Sequence, residues 1–164
     1  MNNILIRKVV RKDFAEIINI NELFVKETSP LNKERLTHLN NIASYHKVAV
    51  VNEQISGFLL AINNNEDYSN ENYAWFSERY NCFTYIDRIV IKPEFSGLKI
   101  GSLLYKDLFQ SSLENQVKHI TCEYNIRPIN IPSQKFHEKF GFSEVGQQDI
   151  ANGKKRVSLQ LLEL

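Results

Sequence analysis

The first third of the chain shows two spacings of apolar residues. Weak alternation in ILIRKVV, residues 4–10, predicts a strand. Residues 12–26 are predicted to form a helix because their apolar residues recur at helical spacing. A narrower apolar stripe, made by Leu36, Leu39 and Ile42, predicts a second helix over residues 32–45.

The middle of the chain alternates between apolar runs and turn-forming segments. Two apolar runs flank Asn52-Glu53 in KVAVVNEQISGFLLAI and predict a hairpin. Residues 63–72, NNNEDYSNEN, are polar and rich in turn formers, so we expect a loop there, followed by the aromatic segment YAWFSERYNCF. The next strand, FTYIDRIVIK, should stop at Pro93, because proline cannot continue a strand ladder.

The last third predicts two helices, a strand and a closing hairpin. A helix should begin near Ile100, and KHITCEY reads as a strand. Residues 131–140 should form another helix, with Pro132 in its first turn and Gly141 just past its end. A hairpin turning at Asn152-Gly153 should close the chain. The element order β-α-α-β-β-β-α-β-α-β-β predicts a mixed sheet with packed helices, an α/β (α+β) fold.

Length and composition narrow the class of protein. The chain has 164 residues, of which 43% are hydrophobic and 24% charged, and these values are typical of one soluble domain spanning residues 1–164. A net charge of +1 gives no reason to expect a nucleic-acid or membrane partner. With no apolar run of membrane-spanning length and no signal peptide, we expect a cytoplasmic protein. Cys82 and Cys122 lack metal-ligand spacing and should be unpaired.

The stretch IVIKPEFSGLKIGSLLY, residues 89–105, combines a strand, a glycine-containing turn and a helix. The free N–H groups and positive dipole end of that helix would point back toward the turn. Such a turn suits an anionic ligand, particularly a phosphate or pyrophosphate. A tight connection that only packs the helix on the sheet is an equal alternative.

Two segments resemble the motifs of the GNAT-type acyl-CoA N-acetyltransferases. Residues 89–105 are similar to the family's V-x-P strand end followed by [RQ]-x-x-G-x-[GA], and NIRPINIPSQKFHEKFGFSEVG, residues 125–146, resembles its second block. YIDRIVI and CEYNIRPIN further resemble a bacterial branch of predicted acetyltransferases. The resemblance implies a mostly antiparallel sheet of about seven strands flanked by about four helices. Its central strands would splay apart around acetyl-CoA, the co-substrate, and no metal is implied.

By this resemblance, the backbone of residues 97–102 holds the pyrophosphate and Asn130 lies beside the pantetheine arm. The implied acetyl-CoA residues are Ile89, Val90, Ile91, Ser96, Gly97, Leu98, Lys99, Ile100, Gly101, Ser102, Asn130, Ser133 and Phe136. Ser96 replaces the family's Arg or Gln, and Lys99 replaces its first glycine. If the helix already begins at Leu98 or Lys99, Lys99 adopts helical dihedrals, and its ammonium would then reach a phosphate.

Acetyl transfer to an amine requires a proton acceptor and, at the thiolate, a proton donor. Glu123 and Asp87 are equal candidates for the base, and for each the alternative is a surface or ion-paired carboxylate. His137 is the candidate acid, with Tyr124 as its substitute. The alternative for His137 is a half-exposed helix histidine next to Phe136 and Phe140.

Acceptor binding is predicted for an aromatic and basic set: Trp75, Arg79, Tyr80, Arg88 and Arg127. A satellite hydrophobic cluster with solvated arginines is the alternative. The sequence thus predicts acetyl-CoA-dependent N-acetyltransfer to a primary amine of a small molecule or peptide, by direct attack in a ternary complex. A non-catalytic acyl-CoA sensor and a structural αβ domain that binds nothing remain alternatives, and a homodimer is compatible with the sequence.

Overall fold

The computed structural model describes residues 3–164, which form seven β-strands and five α-helices. The strands are β1 Ile4–Lys8, β2 Tyr45–Val51, β3 Gln54–Asn63, β4 Thr84–Ile91, β5 His119–Arg127, β6 Ser143–Ile150 and β7 Lys155–Glu163. The helices are α1 Phe14–Glu22, α2 Lys33–Ile42, α3 Glu71–Ser77, α4 Ile100–Glu114 and α5 Ile131–Lys139. Short 3₁₀ turns precede α1 and follow β4.

The strands form one mixed sheet in the order β1-β2-β3-β4-β5-β7-β6. The pairs β1-β2, β2-β3, β5-β7 and β6-β7 are antiparallel, whereas β4 and β5 are parallel, with Thr84 opposite Ile120 and Tyr85 opposite Thr121. The predicted mixed, mostly antiparallel seven-stranded sheet is therefore confirmed, with five helices instead of about four.

Helix α3 is the element that hydrophobic periodicity failed to predict. The expected loop over residues 63–72 is wrong at both ends, because Asn63 ends β3 and α3 begins at Glu71. Asn70 caps the helix, since its side-chain oxygen accepts hydrogen bonds from the N–H groups of Asn72 and Tyr73, at 2.9 and 3.0 Å. A helix of seven residues is too short to show a clear period, so this cap is its main sequence signal.

Both predicted hairpins are confirmed. Asn52 and Glu53 have φ values of 47° and 67°, as a two-residue turn matched to the strand twist requires. In the closing hairpin, Ala151, Asn152 and Gly153 all have positive φ, so its turn is longer than the Asn-Gly pair alone. The predicted helices over residues 12–26 and 32–45 are also present, but each is shorter at both ends.

The chain forms two compact units, and the first consists of the described residues up to Ile62 together with Ile86–Ser111. Its core is built from fully buried aliphatic and aromatic residues, including Ile17, Ile20, Leu36, Leu39, Phe58 and Leu104. One carboxylate ties α4 to β2, because Asp107 accepts hydrogen bonds from the Tyr45 hydroxyl and from Lys47 Nζ, each at 2.6 Å. These two hydrogen bonds hold the middle of α4 against β2.

The second unit consists of Asn63–Tyr85 and Ser112–Leu164. Its core is aromatic, with Tyr73, Phe76, Phe83 and Tyr85 stacked edge-on or tilted at centroid distances of 5.7–6.2 Å. Trp75 packs so closely on β6 that a Cβ at Gly146 would lie 2.5 Å from its ring. A single domain over residues 1–164 stays a prediction.

Both cysteines are free, as predicted. Cys82 is exposed and Cys122 is buried. Within residues 3–164, no helix is long and apolar enough to cross a membrane.

Candidate functional site

The loop between β4 and α4 presents backbone donors at a helix start. After the 3₁₀ turn Pro93–Phe95, Gly97 adopts φ +86° and α4 begins at Ile100, which is buried. The first backbone bond of α4 runs from the N–H of Leu103 to the carbonyl of Lys99, at 3.0 Å. The N–H groups of residues 100–102 precede that bond, so the helix start can donate to an anion.

Lys99 does not have the helical conformation that the sequence predicted; that expectation is wrong. Its φ is +59°, in the left-handed region, and the helix begins one residue later. The turn needs left-handed dihedrals at both Gly97 and Lys99, which explains why glycine suits this position. A residue with a Cβ in this conformation costs about 1 kcal/mol or more. The Lys99 side chain is exposed.

Asp87 and Arg88, adjacent on β4, form a buried ion pair. Arg88 Nε donates to Asp87 Oδ2 at 2.7 Å, and the two side chains are only 3% and 2% exposed. The guanidinium also donates to Asn21 Oδ1 at 2.8 Å and to the Ser29 hydroxyl at 2.9 Å. These bonds connect β4 to the end of α1 and the segment after it. The geometry favours the ion-paired alternative for Asp87, and acceptor binding by Arg88 stays a prediction.

Glu123 lies in the middle of β5 and has a neutral partner. Its Oε1 accepts a hydrogen bond from the Tyr85 hydroxyl at 2.9 Å, and its Oε2 is buried. Because successive side chains of a strand point to opposite faces, Glu123 and Tyr124 lie on opposite faces of β5. The strand therefore presents a carboxylate on one face and a phenol on the other.

Tyr124 lies near His137 of α5, with ring centroids 5.8 Å apart. His137 is buried, and its Nδ1 lies 2.7 Å from the Ser133 carbonyl oxygen. A carbonyl only accepts, so Nδ1 holds the proton and Nε2 is left as an acceptor. Burial lowers the pKa of His137 and raises the pKa of Tyr124. At neutral pH the phenol is protonated and the imidazole is neutral, so Tyr124 suits the role of proton donor better.

The second motif has clear structural roles in α5. Asn130 caps this helix, because its Oδ1 accepts a hydrogen bond from the N–H of Ser133 at 3.2 Å. Gly141 follows the helix with φ +83°, and Phe142 is buried against the His137 ring, 5.2 Å away between centroids. Phe136 is half-buried and stacks on Phe140. Contact of Asn130, Ser133 and Phe136 with a cofactor stays a prediction.

The other predicted acceptor residues already have partners within the protein. The Arg79 guanidinium lies 4.0 Å from the centroid of the Trp75 ring and donates to the Trp75 carbonyl at 2.9 Å. Tyr80 stacks edge-on with His119, and exposed Arg127 forms an ion pair with Asp149 at 2.9 Å. These contacts favour the satellite-cluster alternative, and acceptor binding by these residues stays a prediction.

Sequence reasoning missed three residues at these sites: Tyr85, Asn21 and Ser29. Tyr85 and Glu123 are 38 residues apart in the sequence, and Asn21 and Arg88 are 67 residues apart. No local motif marks such partners, although an aromatic residue in a strand two positions before Asp87 could have drawn attention to Tyr85. Within the described residues, no group of three His, Cys, Asp or Glu side chains could hold a metal ion.

A sequence profile of the acetyltransferase (GNAT) family matches residues 12–142. The chain belongs to this family. It is an acyltransferase, and the family resemblance predicted from residues 89–105 and 125–146 is confirmed. The bacterial branch stays a prediction. No curated protein sequence matches the chain.

Solved structures show that the GNAT fold extends over the whole chain. Ard1 from Thermoplasma volcanium superposes with a TM-score of 0.80 at 15% identity, covering 98% of this chain and 97% of that one. Arabidopsis thaliana Naa50 in complex with the bisubstrate analogue CoA-Ac-MVNAL superposes with a TM-score of 0.76 at 15% identity. This match covers 98% of this chain and 99% of Naa50. A GNAT-family acetyltransferase from Streptococcus pneumoniae superposes with a TM-score of 0.73 at 20% identity, and the match covers 99% of each chain. At these identities the likeness shows a shared fold.

Within the GNAT family, the β4–α4 loop of this chain differs from the usual motif at one of its two glycine positions. Gly101 occupies the motif's final position, while Lys99 occupies the glycine position and keeps the left-handed dihedral that glycine would adopt freely. At this position the chain therefore holds a left-handed dihedral with a residue that has a Cβ.

Proposed function

We propose that this GNAT protein binds acetyl-CoA through the β4–α4 loop and transfers the acetyl group to a primary amine. The observation that carries the proposal is the left-handed turn at Gly97 and Lys99 leading into the donor-rich start of α4, in a chain that matches the family profile. The backbone N–H groups of residues 97–102 bind the pyrophosphate. Because backbone groups make this contact, the changes at Ser96 and Lys99 leave it in place.

The amine attacks the thioester directly in a ternary complex. An alkylamine is mostly protonated at neutral pH, so a base must first remove a proton, and we assign that role to Glu123. The nitrogen then forms a bond to the acetyl carbon while the carbon–sulfur bond breaks, and it releases its second proton to water. Tyr124 donates a proton to the departing thiolate and regains one from solvent. Asp87 is the second candidate for the base, but its pairing with Arg88 favours a structural role.

The acceptor is a small molecule or a peptide that carries a primary amine. Two structural relatives support coenzyme A and peptide ligands: Naa50 was solved with CoA-Ac-MVNAL, and the NatC complex was solved with Gag peptide and CoA. The NatC structure has a TM-score of 0.77 at 14% identity. Both acceptor classes therefore belong in a first substrate panel.

The test combines binding with turnover. Titration calorimetry should show acetyl-CoA binding, and acetyl-CoA should raise the melting temperature because it binds only the folded chain. An amine panel containing small amines and free peptide N-termini, with thiol release as the signal, should then identify acceptors. In Gly101→Val, a branched side chain at the first turn of α4 should abolish binding, and Lys106→Val, at an exposed position further along the same helix, is the control.

Two outcomes would contradict the proposal in different ways. Absence of binding at millimolar acetyl-CoA would exclude a coenzyme A function altogether. Tight binding without thiol release for any amine would favour the acyl-CoA sensor instead.

A further inference from the structure

The Tyr85 hydroxyl has two oxygen neighbours at unequal distances. Glu123 Oε1 lies 2.9 Å away, and Asn70 Oδ1 lies 3.5 Å away. A hydroxyl has one proton to donate, and a carboxylate at the shorter distance is the stronger acceptor. The proton of Tyr85 is therefore directed at Glu123.

The ring of Tyr85 is held firmly in place. It is fully buried and lies 5.7 Å from the Tyr73 ring, 6.1 Å from Phe76 and 6.5 Å from Tyr68, measured between centroids. Its backbone pairs with Thr121 on β5, two residues before Glu123. Donor and acceptor thus stand on paired strands, and packing fixes the rotamer of the donor.

We propose that Tyr85 is a positioning residue for acetyl transfer. Its hydroxyl orients the Glu123 carboxylate and stabilises the charged form, which is the form that accepts a proton from the amine. A fixed donor on one carboxylate oxygen removes the rotational freedom that an exposed glutamate would have. This inference rests on the proposed function, in which Glu123 is the base.

The decisive variant is Tyr85→Phe, which removes the hydroxyl and keeps the ring. We expect kcat to fall about tenfold, the scale of one hydrogen bond to a charged group, with KM for acetyl-CoA unchanged. Loss of a donor to the charged form makes protonation easier. The acidic limb of the pH–kcat profile should therefore move up by about one pH unit.

Tyr73→Phe is the matched control. Tyr73 belongs to the same aromatic cluster and is also buried, but its hydroxyl donates to the Asn63 carbonyl at 2.6 Å. This variant should lose a similar amount of thermal stability while keeping the parent pH profile. In a Glu123→Gln background, Tyr85→Phe should cause no further loss of kcat, since the group it positions is gone.

A measurement without turnover separates this inference from the proposed function. Carboxyl ¹³C NMR of the glutamates, with the Glu123 signal assigned through Glu123→Gln, should show its titration midpoint about one pH unit higher in Tyr85→Phe. If the parent acetylates no amine, the proposed function fails, but the NMR shift still reports the coupling. An unchanged midpoint, or identical pH profiles for Tyr85→Phe and Tyr73→Phe, would make Tyr85 a packing residue only.

Discussion

Asp87 and Glu123 are carboxylates on β4 and β5 that differ in the charge of their partner. Asp87 is paired with a buried guanidinium, so taking up a proton would leave that cation without its counter-charge. Glu123 accepts a hydrogen bond from a neutral phenol, so protonation of Glu123 leaves no cation unpaired at this contact. The buried ion pair therefore favours a structural role for Asp87, and the half-buried position beside a neutral donor favours proton transfer by Glu123.

The largest effect should follow removal of the charged partner. Asp87→Ala leaves Arg88 uncompensated in the core and should lower the free energy of unfolding by about 3–5 kcal/mol. Glu123→Ala removes a carboxylate that accepts a hydrogen bond from the neutral Tyr85 hydroxyl, and it should cost about 1–2 kcal/mol. Urea unfolding of both variants measures the difference. Equal losses would remove the distinction between the two carboxylates.

The region around Asp87 should also respond to acid through His46. This histidine is on β2, its Nδ1 lies 2.7 Å from Asn40 Oδ1, and burial lowers its pKa to about 4 despite the opposing charges of Asp13 and Asp87. Above pH 6.5 the ring is neutral in both states and contributes nothing. Between pH 6.5 and 4 the unfolded chain takes up the proton first, so stability should fall by about 3 kcal/mol.

Unfolding free energies measured from pH 7 to pH 4 test this expectation. His46→Gln should flatten the decline, because the substituted side chain does not titrate. His38→Gln, on the exposed side of α2, is the control and should retain the parent slope. A parent-like slope in His46→Gln would show that other groups cause the acid sensitivity.

Glu123→Gln should act on catalysis and leave the fold intact. The amide keeps the size of the side chain but cannot accept a proton at neutral pH, so kcat should fall by about 10²-fold, equivalent to about 2.7 kcal/mol. Acetyl-CoA affinity from calorimetry should be unchanged. Near-normal turnover across the pH range would transfer the role of base to water or to Asp87.

The smallest effects concern the backbone conformation and the exposed charge of Lys99. Lys99→Gly should relieve the left-handed conformation and raise the free energy of unfolding by up to about 1 kcal/mol. The same substitution at exposed Lys106, inside α4, should lower it by about 1 kcal/mol. Loss of the Lys99 ammonium should weaken acetyl-CoA binding only a few-fold, and only at low salt. Destabilisation by both substitutions would contradict a strained Lys99.

Most of the fold could be predicted because its elements have strong local signals. Asn52-Glu53 marked the β2–β3 turn, and Pro93 marked the end of β4. Helix α3 was not predicted because its seven residues make only two turns. Its apolar residues also lie in an aromatic segment that shows no clear helical period. Its cap, Asn70, was visible in the sequence but resembled the surrounding turn formers.

The site was predicted less completely, for two physical reasons. The prediction of helical dihedrals for Lys99 was wrong because the turn needs a left-handed residue there, and this requirement outweighs the helix propensity of lysine. The sequence could place Asp87 and Glu123 on strands but could not choose between them. That choice depends on Arg88 bonding to Asn21 and on Tyr85 bonding to Glu123, contacts that only the folded chain creates.

Asp107 has a consequence for how the loop before α4 meets a ligand. By accepting from Tyr45 and Lys47, it clamps the helix to β2 about two turns after the helix begins. The first turn of α4 is thus oriented during folding, and its donors keep one direction whether or not an anion is bound. Little conformational entropy is then left to lose when a diphosphate arrives, so even a loop with an imperfect motif can retain its affinity.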